Sequence, residues 1–187
     1  MQNLLRRTIA KISLDNLRWN VRQLRDLQGK EKFFCPMVKA NAYGHGAVPV
    51  AKALQAEGCL DLGVALFEEG RELRTAGIKD GEILVFYPLQ TQSELDTVLE
   101  YKLTPVVSSW SSLELLENSP KVKNFGVHIK FNTGMNRLGF SIDQASRLQT
   151  FFKQSQKLKL QDVCTHLLAG EDFGELDSIT LQQFELF

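Results

Sequence analysis

Apolar residues recur along this chain at two spacings, and the two spacings alternate. Short apolar runs predict six strands: "FFCPMVKA" (33–40), "LDLGVAL" (60–66), "EILVFYPL" (82–89), "LTPVVSS" (103–109), "FGVHIKF" (125–131) and "LQDVCTHL" (160–167). Between them lie stretches of helical period: "GAVPVAKALQAEG", "FEEGRELRTAG", "TQSELDTVLEY", "WSSLELLEN" and "SIDQASRLQTFFKQSQ". Before them, a strand-like "TIAKISL" leads into "DNLRWNVRQLRDL". There Leu17, Val21, Leu24 and Leu27 form one stripe, with Asp15 as the expected N-cap. Strand and helix alternating in this way predict a parallel sheet covered by helices. No low-complexity linker, repeat or composition shift marks a second domain, so residues 1–187 are expected to form one barrel domain.

Such alternation suits either an open doubly wound sheet or a (β/α)8 barrel. In "GVHIKF", Val127, Ile129 and Phe131 share one face, and His128 and Lys130 share the other. In "DVCTHL", Asp162, Cys164 and His166 lie opposite Val163, Thr165 and Leu167. In "DLGVA", the small residues Gly63 and Ala65 share a face with Asp61 and leave room. An inner face that turns polar toward the strand ends fits a barrel with a site at its mouth. The doubly wound alternative expects GxGxxG after the first strand, which "KANAYGHG" does not supply. The barrel is the expected fold.

Composition narrows the functional classes. Apolar residues make up 43% and charged residues 24%, and Lys+Arg balance Asp+Glu at 22 each. Such a balance gives no overall field that would favour nucleic acid or an anionic membrane. No apolar run approaches the roughly 20 residues of a membrane span, and "MQNLLRRTIAKISLDNL" has no signal-peptide pattern. Cys35, Cys59 and Cys164 are few and scattered, as expected of reduced cytoplasmic thiols. Three isolated histidines without CxxC or HExxH give no expectation of a metal.

The chemistry concentrates in "MVKANAYGHG" (37–46). Lys39 ends a strand where barrel enzymes keep their reacting groups, and partial desolvation there would favour a neutral amine. Such an amine suits a Schiff base with a carbonyl. Tyr43 offers a phenol at the same rim.

This decapeptide resembles the pyridoxal-phosphate attachment signature of the bacterial alanine racemases. "HIKFNTGMNRLGF" (128–140) resembles that family's fifth-strand motif, and "THLLAGED" followed by "QQF" its sixth-strand segment. "ISLDNLRWNVRQLR" and "VALFEEGRELRTAGI" resemble its opening helix and second βα unit, so the resemblance covers essentially the whole chain.

It implies an enzyme that interconverts L- and D-alanine through a pyridoxal phosphate external aldimine and supplies D-alanine for peptidoglycan. It also implies a cytoplasmic homodimer. Lys39 would carry the cofactor and serve as one base, and Tyr43 would bind the phosphate. Arg137 would lie near the phenolic oxygen and the substrate carboxylate, and His166 would orient an arginine beneath the pyridine nitrogen. Lys130, facing inward, would be carbamylated and paired with Arg137. Where the family usually has aspartate after this lysine, the chain has Asn132, one carboxylate fewer. His45 and Cys164 are read as structural.

The family's barrel has eight strands and a following β domain, and its second base is a tyrosine from the partner subunit. With six strands expected here, the chain reads as an N-terminal portion, inactive by itself. The alternatives are a non-catalytic pyridoxal-phosphate-binding barrel, and a fragment kept as an interaction module.

Overall fold

A computed structural model describes residues 9–29, 31–169 and 178–187. Thr8 of "TIAKISL" and the end of "THLLAGED" lie outside them. Helix α1 (Leu14–Gln28) starts two residues earlier than expected. Its cap is Ser13 rather than Asp15, and the Ser13 hydroxyl accepts the Asn16 N–H at 3.2 Å. Asp15 sits in the first turn, favourably placed against the helix dipole, and pairs with Arg18 at 3.0 Å. Only part of the expected stripe packs: Val21 is buried and Leu17 meets the core, whereas Leu24 and Leu27 are exposed. Residues 9–13, read from sequence as a strand, form no regular element.

After the short turn α2 (Lys39–Tyr43) and helix α3 (Ala47–Ala56), five strands follow: β1 (Leu62–Val64), β2 (Ile83–Val85), β3 (Thr104–Val107), β4 (Phe125–Lys130) and β5 (Leu158–Cys164). All neighbours are parallel and the spatial order is β1-β2-β3-β4-β5. Helices α4 (Phe67–Thr75), α5 (Gln92–Glu100), α6 (Trp110–Asn118) and α7 (Ala145–Gln154) make the crossovers. The result is an α/β fold and an incomplete barrel.

Five strands, not six, are therefore formed among the described residues. "FFCPMVKA" contributes a single bridge, Met37 to Gly63, with Val38 N–H donating to the Gly63 carbonyl at 2.8 Å and Gly63 N–H to that of Pro36 at 2.9 Å. Two features stop it from extending. Pro36 has no N–H to give a ladder, and from Ala40 onward the backbone turns left-handed.

Strands β1 and β2 are apolar throughout because both faces are covered, and Leu62, Ile83 and Val85 are fully buried. On the helix side, α4 comes close because Gly70 has no side chain; a Cβ there would lie 2.9 Å from a Leu103 methyl. On the inner side, a Cβ at Gly63 would collide with the Met37 sulfur, so the room expected there is taken by Met37. The faces of β4 are as read: Val127, Ile129 and Phe131 join the core, and His128 and Lys130 face inward. His128 Nε2 lies 3.1 Å from Glu82 Oε2, and the Thr104 hydroxyl donates to the other Glu82 oxygen at 3.3 Å.

An element not anticipated from sequence is α8 (Ile179–Leu186), capped by the Ser178 hydroxyl on the Leu181 N–H at 3.1 Å. Its buried face is polar, made of Thr180 and Gln183. The Thr180 hydroxyl donates to the Ala169 carbonyl, and Gln183 Oε1 accepts the Leu168 N–H at 2.8 Å. Thus α8 ties down the segment that leaves β5.

Candidate active site

At the carboxyl ends of the strands lies a cleft of ≈ 400 Å³ onto which Lys39, Tyr43, Lys130, Arg137 and His166 converge. Its apolar walls include Met37, Ala65, Phe86 and Leu138.

Lys39 enters the cleft from the turn that replaces the first strand. Ala40, Asn41, Ala42 and Tyr43 all have φ between 50° and 56°. Four consecutive left-handed residues without a glycine are costly, on the order of 1–2 kcal/mol each. Local bonds hold them. Ala42 N–H donates to the Val38 carbonyl at 2.9 Å and Gly46 N–H to that of Asn41 at 2.9 Å. The Asn41 side-chain oxygen accepts the Ala47 N–H at 2.7 Å. His45 Nδ1 lies 2.8 Å from the Ala42 carbonyl, which as an acceptor requires the proton on that nitrogen. This agrees with a structural reading of His45. The turn ends at Gly44, whose φ of 85° suits glycine. Lys39 Nζ stands 5.7 Å from the centre of the Tyr43 ring.

Lys130 projects from the end of β4, with its Nζ 5.9 Å from the centre of the Phe86 ring. Burial pushes its pKa below that of an ordinary lysine, and the cations Arg137 and Lys39 push the same way, against an opposing contribution from Cys164. His166 is likewise held below its ordinary value, first by burial and then by Lys130, Arg137 and Lys39. Burial raises the Cys164 thiol to about 11, so it remains protonated at neutral pH and is no nucleophile. Among the described residues no carboxylate pairs with Lys39, Lys130 or Arg137.

Arg137 is carried by a loop whose ends are pinned by a bridge between Phe131 and Phe140. Asn132 N–H donates to the Phe140 carbonyl at 2.8 Å and Phe140 N–H to that of Lys130 at 2.8 Å. Gly139 permits this closure, since its φ is 128° and a Cβ would lie 2.6 Å from the Asn132 nitrogen. The unusual Asn132 has work inside the loop. Its side-chain oxygen accepts the N–H groups of Gly134 (3.1 Å) and Asn136 (2.9 Å), and its amide donates to the Asn136 side-chain oxygen at 2.9 Å. An aspartate could accept both backbone bonds but could not donate the third.

Two groups that shape the site escaped the sequence reading. One is Glu69, whose carboxylate accepts the Ala40 N–H at 2.6 Å. The other is a buried relay: Gln183 Nε2 donates to the Thr133 hydroxyl at 3.2 Å, Thr133 and Thr165 hydroxyls meet at 2.8 Å, and Thr165 donates to the Phe131 carbonyl at 3.0 Å. Because the last acceptor is a carbonyl, the Thr165 proton is committed there and Thr133 must donate to Thr165. Gln183 also reaches the His166 carbonyl at 3.3 Å, so one side chain steadies both arms of the cleft. The "FEEG" capping pattern and the "QQF" motif were the available signals.

Could these residues hold an anionic aromatic cofactor? Among the described residues three cations have no carboxylate partner, a phenol stands at the rim and the walls are apolar, so pyridoxal phosphate fits the donor set.

Comparisons with known proteins agree with this architecture. The family described as "Alanine racemase, N-terminal domain" matches residues 12–187. The alanine racemase of Treponema denticola is 36% identical over 186 residues, covering 98% of this chain and 48% of the relative. That of Carboxydothermus hydrogenoformans is 35% identical over 182 residues, covering 95% and 48%. Among solved structures, the alanine racemase from E. faecalis superposes with a TM-score of 0.81 at 28% identity, over 94% of this chain and 47% of that one. An alanine racemase of Clostridium difficile in complex with cycloserine gives 0.81 at 29%, over 98% and 50%. The chain spans about half the length of the relatives it matches. By fold, motifs and sequence, it belongs to the alanine racemase family and corresponds to that family's N-terminal domain.

Proposed function

We propose that residues 1–187 form the pyridoxal-phosphate-binding barrel domain of an enzyme that interconverts L- and D-alanine. The observation that carries this reading is the convergence of Lys39, Lys130 and Arg137 on one cleft where, among the described residues, no carboxylate pairs with them. A phosphate, a phenolate and a substrate carboxylate together would supply the absent charge. When bound, pyridoxal phosphate supplies the electron sink that acidifies the amino acid's Cα–H.

The chain's own residues do the rest. Lys39 would hold the cofactor through its amine and, with that amine free, would remove or return the proton at Cα on one face. Tyr43 would hold the phosphate from the rim. Arg137 presents a planar fork of N–H donors to the substrate carboxylate. His166, held below its ordinary value by burial and then by three neighbouring cations, would orient rather than transfer charge. Carbamylation of Lys130 would turn one of three clustered cations into an anion beside Arg137.

A second base is needed on the opposite face of Cα. The family resemblance assigns it to a tyrosine of the partner subunit in a homodimer. Racemisation is therefore proposed for the whole protein, acting in the cytoplasm to provide D-alanine for peptidoglycan, and the 187-residue chain alone is expected to be inactive. Among the described residues no helix is long and apolar enough to cross a membrane.

The test is to incubate the chain with pyridoxal phosphate, reduce with borohydride and map the labelled peptide. Label on Lys39 is expected. Label on another lysine with Lys39 clean would overturn the assignment. In the whole protein, Lys39→Ala should abolish racemisation, because it removes anchor and base together.

A further inference from the structure

We infer that Glu69 is the positioning residue for Lys39, its carboxylate fixing the left-handed turn that aims the lysine into the cleft. This deepens the proposed function and rests on it. Glu69 occupies the third position of α4, where a glutamate ordinarily serves its own helix. One oxygen does that: Oε2 accepts the N–H groups of Ala65 at 2.8 Å and Leu66 at 3.0 Å. The other reaches out of the helix, Oε1 accepting the Ala40 N–H at 2.6 Å. Helix capping requires no such bond.

The Ala40 N–H belongs to the Lys39–Ala40 peptide. Holding it fixes the plane about which Lys39 ψ and Ala40 φ are set, and so the direction from which the lysine leaves the backbone. Ala40 is also the first of the four left-handed residues, where the chain must be diverted from its extended path. Backbone pairing offers little help, since a single bridge at Met37 joins this segment to β1. A charge-assisted bond, roughly twice as strong as a neutral one, makes up for the missing ladder. One carboxylate thereby joins the end of β1, the start of α4 and the lysine turn.

Two variants separate the tether from the cap. Glu69→Asp keeps the charge and can cap Ala65 and Leu66, but falls one methylene short of Ala40. Glu69→Gln keeps the length but turns an NH2 group toward one of the N–H donors. In the full chain without cofactor, amide hydrogen exchange is followed at residues 40–43, in α4 and across the sheet. Borohydride fixation of pyridoxal phosphate at Lys39 is measured in parallel. In Glu69→Asp, exchange at 40–43 should rise about tenfold or more, as loss of one charged hydrogen bond implies, with the sheet unchanged. Fixation at Lys39 should slow by a similar factor. Glu69→Gln keeps one acceptor oxygen, which the Ala65 and Leu66 N–H groups claim, so it too should loosen 40–43 and leave the first turn of α4 as it is. Unchanged exchange at 40–43 overturns the inference. So does an equal rise throughout the chain, or outright unfolding, since Glu69 would then serve the fold alone. If the unmodified chain takes no label on Lys39, the cofactor reading fails, and the exchange arm still decides the role of Glu69.

Discussion

Lys130 carries its charge where burial and two neighbouring cations all work against it. Its folded pKa lies below the unfolded value of 10.5, so the penalty is fully present below the folded pKa. Between the two values the unfolded chain binds more protons, and stability rises with pH. Replacement by Met, which keeps length and loses charge, should raise stability at neutral pH by about 1 kcal/mol. It should also flatten the rise on the alkaline side, as thermal unfolding across pH would show. In the whole protein at full activity, the Lys130 peptide should carry one added CO2 by mass. At this scale the sequence was informative where a motif names a residue, as with Lys39, Lys130 and Arg137. It said little about Glu69 and Gln183, because what matters there is the far end of a side chain reaching a distant backbone group.

Elements were legible where apolar period was strong and backbone geometry ordinary. Helices α3 to α7 and strands β1 to β4 fall within the stretches that the pattern marks, and β5 begins two residues before its own. Two places failed for physical reasons. "FFCPMVKA" has the composition of a strand, but Pro36 lacks a donor and the left-handed turn ends pairing at once. Helix α8 escaped because its buried face is polar, so Thr180 and Gln183 leave no apolar stripe to read. That polar face implies a specific sensitivity. Gln183→Leu, close in volume, would leave the Leu168 N–H without its acceptor and break the relay to Thr133. A loss of about 1–3 kcal/mol is expected, with faster amide exchange at residues 133–137 and 168. An effect confined to α8 would show that the relay does not steady the loop.

At the level of the molecule, the sheet is an arc with edges. Along β5, Leu160 and Val163 are each 44% exposed on the side where α7 packs only partly. An edge strand that exposes apolar side chains is a template for further pairing. The chain by itself should therefore self-associate at micromolar concentration, which sedimentation velocity would detect. Leu160→Lys with Val163→Lys should shift it toward monomer, since edge lysines oppose strand addition. Finding monomer without these substitutions would mean that the edge is covered. The βα alternation made the parallel sheet legible at this scale. Which residues would cover its last edge was not legible, because periodicity reports that a face is apolar and not what meets it.

The left-handed run after Lys39 reverses a common rule of substitution. Glycine in place of alanine usually lowers stability by about 0.5–1 kcal/mol, through freedom gained by the unfolded chain. At exposed Ala40, with φ at 51°, relief of about 1–2 kcal/mol outweighs that loss. Ala40→Gly should raise the melting temperature by about 2–4 °C per kcal/mol gained. Yet the same freedom would let the lysine wander, and fixation of pyridoxal phosphate at Lys39 should slow. A population of variants sorted for heat resistance would then enrich glycine at position 40, whereas one sorted for cofactor retention would discard it. An alanine persisting at position 40 across lineages would be the imprint of the second pressure overruling the first.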